Sequence, residues 1–451
     1  MATRETTSFL AGVIEGFYGQ PWSQAERFAL FDSMSKWGLN TYLYAPKDDL
    51  KHRALWRELY SPAEAETLGE LIRACQKQNI RFIYALSPGL DLRYNQERES
   101  KLLRKRFAQM IDLGCRDFAL LFDDLPDRME AEDEKRFGSF ASAQCHVVNA
   151  LFQWTRERSP GARFLFCPTP YCSRMAERKL GGENYLPTIG RELLLEIDVF
   201  WTGPEIISRE ITVAHVRELQ TILRRKPLIW DNLHANDYDG RRFFCGPYSG
   251  RPLELRDEVA GLLSNPNCEF PLNFVPLRTL GYFVNSSGGW DARHAYRSAL
   301  REWAPHFATI GEPLDFDDLE SFGDCYYLPH EEGRYGESLV ADVRGLLGSP
   351  PAEWGERAGE LRARLARLRD FCVKLTELRN RPLFYALSRR IWELREEFDL
   401  LEQYIAAKST GPRSGTPSLT SHLPGTYRGG LVARLQRLLV QQPDGTFSSG
   451  V

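Results

Sequence analysis

Across the first 290 residues one pattern recurs: a short, nearly continuous apolar run, then an amphipathic stretch. The runs are 9–16 (FLAGVIEG), 41–46 (TYLYAP), 81–88 (RFIYALSP), 117–124 (DFALLFDD), 163–170 (RFLFCPTP), 198–204 (DVFWTGP) and 227–232 (PLIWDN), with a weaker eighth near 274–284 (FVPLRTLGYFV). Runs of this kind are what a parallel sheet buried on both faces requires. The stretches between them read as helices. Ser23 with Glu26 is a capping box, and Ser61 with Glu64 is another, with Pro62 at the first helical position. Leu68, Leu71, Ile72 and Cys75 then recur at the spacing of a buried helical face. Eight such units predict an α/β fold, a (β/α)8 TIM barrel. The alternative, an open doubly wound sheet, lacks its glycine fingerprint after the first strand.

Beyond residue 300 the rhythm changes, and residues 335–405 carry no strand signal. Leu361, Leu365, Leu368, Cys372, Leu375 and Leu378 form one helical stripe. Pro382 interrupts, and Leu383, Leu387, Ile391, Leu394, Phe398, Leu401 and Ile405 form a second. Two such stripes predict an all-α antiparallel bundle. The segment 409–430 is rich in Ser, Gly, Thr and Pro and reads as a flexible loop. Residues 431–442 (LVARLQRLLVQQ) read as a short amphipathic helix, marginal alone and so expected to dock. The expected division is a catalytic barrel over 1–295, a helical domain over 296–408, the loop 409–430, and a terminal helix and tail over 431–451.

Composition narrows the class. The 451 residues are 43% apolar and 12% aromatic, too aromatic for a disordered chain. A net charge of −3 provides no field to hold a polyanion, so nucleic acid is not an expected partner. The nine cysteines include no C-x-x-C pair, which argues against a disulfide framework and a structural zinc site and fits a reducing compartment. No apolar run approaches about 18 residues, and the first residues lack a signal-peptide pattern. A cytoplasmic protein with no membrane span is therefore expected.

In a barrel, reacting groups sit at the C-terminal ends of the strands. Here those ends gather polar and aromatic side chains, and Asp123-Asp124 is the leading candidate. Strand side chains alternate, so both reach one pocket only where the chain turns. Adjacent carboxyls in a partly dry pocket repel, so one stays ionised while the other holds a proton, as acid catalysis requires. Helix capping is the rival role for such a pair. Asp48-Asp49 and Asp317-Asp318 are competing pairs, the latter a solvated one. Asp123, Asp124, Asp231 and Asp237 offer oxygens to a metal, but no His stands at ligand spacing except His234, so no metal and no cofactor are expected. Cys167 reads as a pocket wall rather than a nucleophile. Tyr18, Tyr171 and Trp230 provide aromatic planes at the rim, and Asn232 and Asn265 provide amides. Acid pair, aromatics and amides together point to a carbohydrate.

The segments GVIEGFYGQPW (12–22), LNTYLYAPKDD (39–49), YALSPGLD (84–91), FALLFDDLPD (118–127), FCPTPYC (166–172), VFWTGP (199–204), IWDNLHANDYD (229–239) and NPNCEF (265–270) resemble, in order, glycoside hydrolase family 84, the β-N-acetylglucosaminidases that include O-GlcNAcase. The helices beyond residue 300 match the family's stalk domain more loosely. The resemblance implies a retaining, exo-acting mechanism with substrate assistance, an exception to the ordinary two-carboxylate scheme. Asp123 would polarise the 2-acetamido group, whose oxygen attacks the anomeric carbon to form an oxazoline. Asp124 would be the acid and then the base. The resemblance further implies that the Gly16 backbone and Lys47 bind ring hydroxyls. Asp237 and Asn265 would hold the far hydroxyls, and Asn232 would support the acetamido region. Tyr171 would bond the reacting region, Trp230 would wall the acetamido pocket, and Phe17 and Tyr18 would belong to the rim. Pro126 and Pro170 flank these positions and set this chain's loops apart. An acetyltransferase-like domain is not expected within these residues. The implied partners are O-GlcNAc-modified proteins or β-GlcNAc glycosides, and the implied assembly is a homodimer whose terminal helix crosses to the partner. Hydrolysis of free glycans or cell-wall fragments, and non-catalytic glycan binding, are the alternatives.

Overall fold

A computed structural model of the chain describes residues 9–126, 128–410 and 428–451. Two compact units emerge. One comprises Met1–Asp237, Tyr248–Phe270 and Leu280–Trp290; the other comprises Tyr238–Pro247, Pro271–Thr279 and Asp291–Val451.

The first unit is built on eight strands: β1 (Leu10–Glu15), β2 (Thr41–Tyr44), β3 (Arg81–Leu86), β4 (Asp117–Leu121), β5 (Phe164–Cys167), β6 (Ile197–Trp201), β7 (Leu228–Asp231) and β8 (Gly261–Ser264). They pair in sequence order, all parallel, and β8 closes on β1. This is the expected (β/α)8 barrel. Alternate residues of every strand, among them Ile14, Leu43, Ile83, Ala119, Leu165, Phe200, Leu228 and Leu263, share one apolar cluster that fills the interior. The residues between them, such as Tyr42, Phe82, Phe118 and Phe164, are equally buried on the other face. Both capping boxes form as expected. Ser23 and Glu26 open the helix Gln24–Lys36, and Ser61 and Glu64 open Pro62–Lys77. The latter helix buries Leu68, Leu71, Ile72 and Cys75.

The eighth strand requires a correction. Residues 274–284 lie in the helix Phe274–Asn285, and the strand is Gly261–Ser264. The apolar positions 274, 275, 277, 280, 283 and 284 repeat at helical spacing, whereas the true strand is only four residues long.

The second unit is mainly helical. Glu356–Lys374 and Arg381–Thr410 are its longest helices, and every residue of the two apolar stripes is buried. Pro382 lies in the first turn of the second helix, where a missing N–H costs nothing. The terminal segment also differs from expectation. Its helix, Gly430–Leu438, stops early, and β9 (Leu439–Gln441) and β10 (Phe447–Ser449) form an antiparallel hairpin. Asp444 and Gly445 explain the turn: Gly445 takes φ 83°, and the Thr446 N–H donates to Asp444 Oδ1 at 2.9 Å. Residues 411–427, most of the expected loop, lie outside the described residues. Among the described residues no helix is long and apolar enough to cross a membrane.

Candidate active site

β4 ends at Leu121, and the chain is then pinned to its neighbour. The Phe122 N–H donates to the Cys167 carbonyl at 2.9 Å. The Thr169 hydroxyl donates to the Phe122 carbonyl at 2.9 Å and accepts from Gln144 Nε2 at 2.9 Å. Asp123 follows, still buried, and Asp124 turns the chain with φ 53° and is exposed. A left-handed non-glycine residue costs about 1–2 kcal/mol. That turn lets two consecutive carboxyls serve one site.

The two carboxyls have different surroundings. Asp123 Oδ2 pairs with the buried Lys47 ammonium. Its Oδ1 is buried and has no hydrogen-bond partner among the described residues. Burial opposes ionisation of Asp123. The charge and hydrogen bond of Lys47, helped by Arg53, outweigh it and hold the carboxyl below its ordinary range. Asp124 instead accepts from the Tyr171 hydroxyl at 2.8 Å and the Tyr18 hydroxyl at 2.9 Å, one on each oxygen. Both phenols are pushed up, first by burial and then by the Asp124 charge, so they remain donors.

A wall stands beside this pair. A Cβ on Gly16 would lie 2.5 Å from Trp230 Cζ2, so only glycine lets the indole approach β1. Trp230 Nε1 donates to Asn232 Oδ1 at 3.0 Å. Asn265 Nδ2 donates to the same oxygen at 3.0 Å, and Asn232 Nδ2 donates to the Ile206 carbonyl at 2.9 Å. Asn265 Oδ1 is buried with no partner among the described residues. Lys47 Nζ lies 5.6 Å from the Trp230 ring centroid and joins this wall to the acid pair. Asp237 Oδ2 accepts from the Tyr18 N–H at 3.0 Å. Every predicted site residue is thus linked into one set at the strand ends, but Phe17 enters only through its carbonyl, which accepts from the Lys47 N–H at 3.4 Å. Its ring is fully buried against Trp22.

The rival groups are occupied. Asp49 accepts from the Tyr44 and Tyr60 hydroxyls at 2.8 and 2.7 Å, and Asp48 accepts from the Gly19 N–H at 2.7 Å. Asp318 pairs with Arg367. Asp231 is buried and gripped by Arg251 through both oxygens, with the Tyr248 hydroxyl a further donor. Burial pushes the Cys167 thiol well up, which removes it as a nucleophile.

The family model of beta-N-acetylglucosaminidases (NAGidase) matches residues 11–312. The chain belongs to that family. Two curated relatives, the protein O-GlcNAcases of Rattus norvegicus and Mus musculus, are each 49% identical over 279 residues. Each alignment covers 62% of this chain and 30% of the relative, so the chain spans under a third of those proteins. A solved mutant of the O-GlcNAc hydrolase of Thermobaculum terrenum aligns at 30% identity with TM-score 0.77, over 88% of this chain and 83% of that one. The chain is thus a glycoside hydrolase family member with a barrel fold.

Within this family member, some residues around the acid pair carried no signal in the sequence. Arg53 is buried and donates to the Asp124 carbonyl at 3.1 Å and to Ser87 Oγ at 3.2 Å. His52 is fully buried, with Nδ1 at 2.8 Å from the Ala85 carbonyl. Burial, then the Lys47 charge, lowers its pKa to about 4, so it is neutral and its Nδ1–H donates. Both lie after β2 on a turn with no motif of its own.

Proposed function

We propose that the chain is a retaining exo-β-N-acetylglucosaminidase that removes O-linked GlcNAc from Ser and Thr of proteins. The observation that carries this reading is the contrast within the acid pair. Asp123 is buried, ion-paired and left with one unpartnered oxygen, while Asp124 is exposed beside it. A carboxylate tied to Lys47 is a poor nucleophile. It is well suited to accept the N–H of a 2-acetamido group at Oδ1. The acetamido oxygen then attacks the anomeric carbon, the bond to the leaving oxygen breaks, and Asp124 gives that oxygen its proton. Nitrogen gains positive charge as the oxazoline forms, so the Asp123 interaction strengthens in the transition state. Asp124 next takes a proton from water, whose oxygen opens the oxazoline and leaves the β anomer. The nucleophile is intramolecular, which favours the first step strongly. The chemistry needs no metal or cofactor.

In this reading Asn265, Asp237, Lys47 and the Gly16 backbone receive the sugar hydroxyls. Trp230, held by Asn232, walls the acetamido pocket. Tyr171 and Tyr18 steer Asp124. The helices over 296–408 serve as the family's stalk, the chain acts in the cytoplasm, and it pairs as a homodimer.

The test is turnover of an O-GlcNAc peptide, a chitin oligomer and nitrophenyl β-GlcNAc, with the product anomer read by NMR. Glycopeptide turnover giving the β anomer first is expected. Cleavage of the oligomer alone would move the substrate to free glycans, and no turnover of any of the three would overturn the enzyme reading. Asp123→Asn should lower kcat by roughly 100-fold or more, as expected when one donor or acceptor aimed at developing charge is lost.

A further inference from the structure

Asp124 is one of four non-glycine residues with positive φ among the described residues. Something must hold it there, since the strain acts to release it. Arg53 meets that requirement from two sides. Its guanidinium donates to the Asp124 carbonyl at 3.1 Å and to Ser87 Oγ at 3.2 Å. Its Cζ also lies 5.9 Å from the ring centroid of Tyr18, the residue whose hydroxyl donates to Asp124 Oδ2. The guanidinium therefore grips the main chain of Asp124 and backs a ring that grips its side chain.

The platform beneath Arg53 is rigid. The His52 carbonyl accepts from the Ser87 N–H at 3.0 Å, while the His52 ring donates to the Ala85 carbonyl. The turn that bears Arg53 is thus fastened to the end of β3, the strand next to β4. A bidentate planar fork suits a carbonyl and a hydroxyl at fixed positions, and a lysine cannot satisfy both with the same geometry.

We propose that Arg53 is a positioning residue for the acid–base group: it fixes the left-handed main chain of Asp124 and so the direction in which that carboxyl meets the leaving oxygen. This rests on the reading of Asp124 as the proton donor. Arg53 reaches Asp124 through its main-chain carbonyl, not through the carboxyl that would move the proton. Its charge also helps hold Asp123 ionised, a smaller effect than that of Lys47.

The experiment compares Arg53→Met and Arg53→Lys with wild type on aryl and alkyl β-GlcNAc substrates of graded leaving-group basicity. Affinity for a non-hydrolysed GlcNAc-derived competitor reports whether the sugar site is intact. A dinitrophenyl leaving group needs no proton; an alkyl one does. A misdirected acid costs on the order of 100-fold. In Arg53→Met, kcat/KM should therefore fall about that much for the alkyl substrate, less than about 3-fold for the dinitrophenyl one, with competitor affinity unchanged. Arg53→Lys should show the same bias at roughly a tenth of the size. If Arg53→Met fails to fold, the lysine variant decides alone. Equal loss across leaving groups, or none, would overturn the positioning role. Wild-type inactivity on every substrate would instead remove the glycosidase reading itself.

Discussion

Position 16 and the pair 47/123 show how single residues shape the proposed site. A Cβ on Gly16 would meet Trp230 Cζ2 at 2.5 Å and Ile14 Cγ2 at 2.8 Å. Neither neighbour can yield: Ile14 is in the barrel interior, and the indole is tied to Asn232. Gly16→Ala should therefore cost about 1–3 kcal/mol of stability. It should also raise KM, because the displaced ring is the proposed pocket wall. Urea melts and steady-state kinetics check both. Lys47→Met makes a different point. Without its ammonium, the burial of Asp123 is no longer opposed by the dominant charge, and its pKa rises. In the proposed mechanism Asp123 acts ionised, so the acid limb of kcat/KM should move to higher pH while the alkaline limb stays. An unmoved acid limb would show that Lys47 does not set the charge state of Asp123. Stability should fall too, by about 3–5 kcal/mol, the usual effect of leaving a buried charge without its partner.

At the scale of elements, legibility followed burial. Seven strands could be read from the chain because each is apolar on both faces. β8 could not: Gly261–Ser264 is four residues long, and the more apolar stretch after it is a helix. The terminal hairpin was hidden because helical spacing runs past Leu438, although Asp444-Gly445 marks the turn. The acid pair stood out as two charges ending an apolar run. Arg53 did not, since its role depends on a turn folded back onto β3, which no local spacing encodes. Helix interiors offer a simpler forecast. Gly359 lies exposed in Glu356–Lys374, and a Cβ there meets nothing within 4 Å. Gly359→Ala should raise stability by about 0.5–1 kcal/mol, seen as a higher urea midpoint with an unchanged slope.

For the molecule as a whole, a net charge of −3 suits the proposed substrate, a neutral sugar that needs no steering field. Its response to pH should depend on few groups, and Glu332 is one of them. This side chain is buried, and the nearest cation, Arg434 Nη1, lies 4.0 Å away and is already forked onto Glu337 at 2.5 and 2.8 Å. Burial pushes Glu332 up to about 8, against the opposing pull of Arg434 and Arg242. A carboxyl whose folded pKa lies above its unfolded value keeps its proton longer in the native state. The native state then binds more protons than the unfolded one between about pH 4.5 and 8, so stability from this group declines across that window and is level outside it. Glu332→Gln keeps the shape and removes the titration. The variant should match wild type near pH 5 and be more stable by at least about 1 kcal/mol near pH 8, one pKa unit being worth about 1.4 kcal/mol. Thermal melts of both proteins from pH 5 to 9 decide it. A gap that does not widen with pH would mean that the folded chain solvates the Glu332 carboxylate.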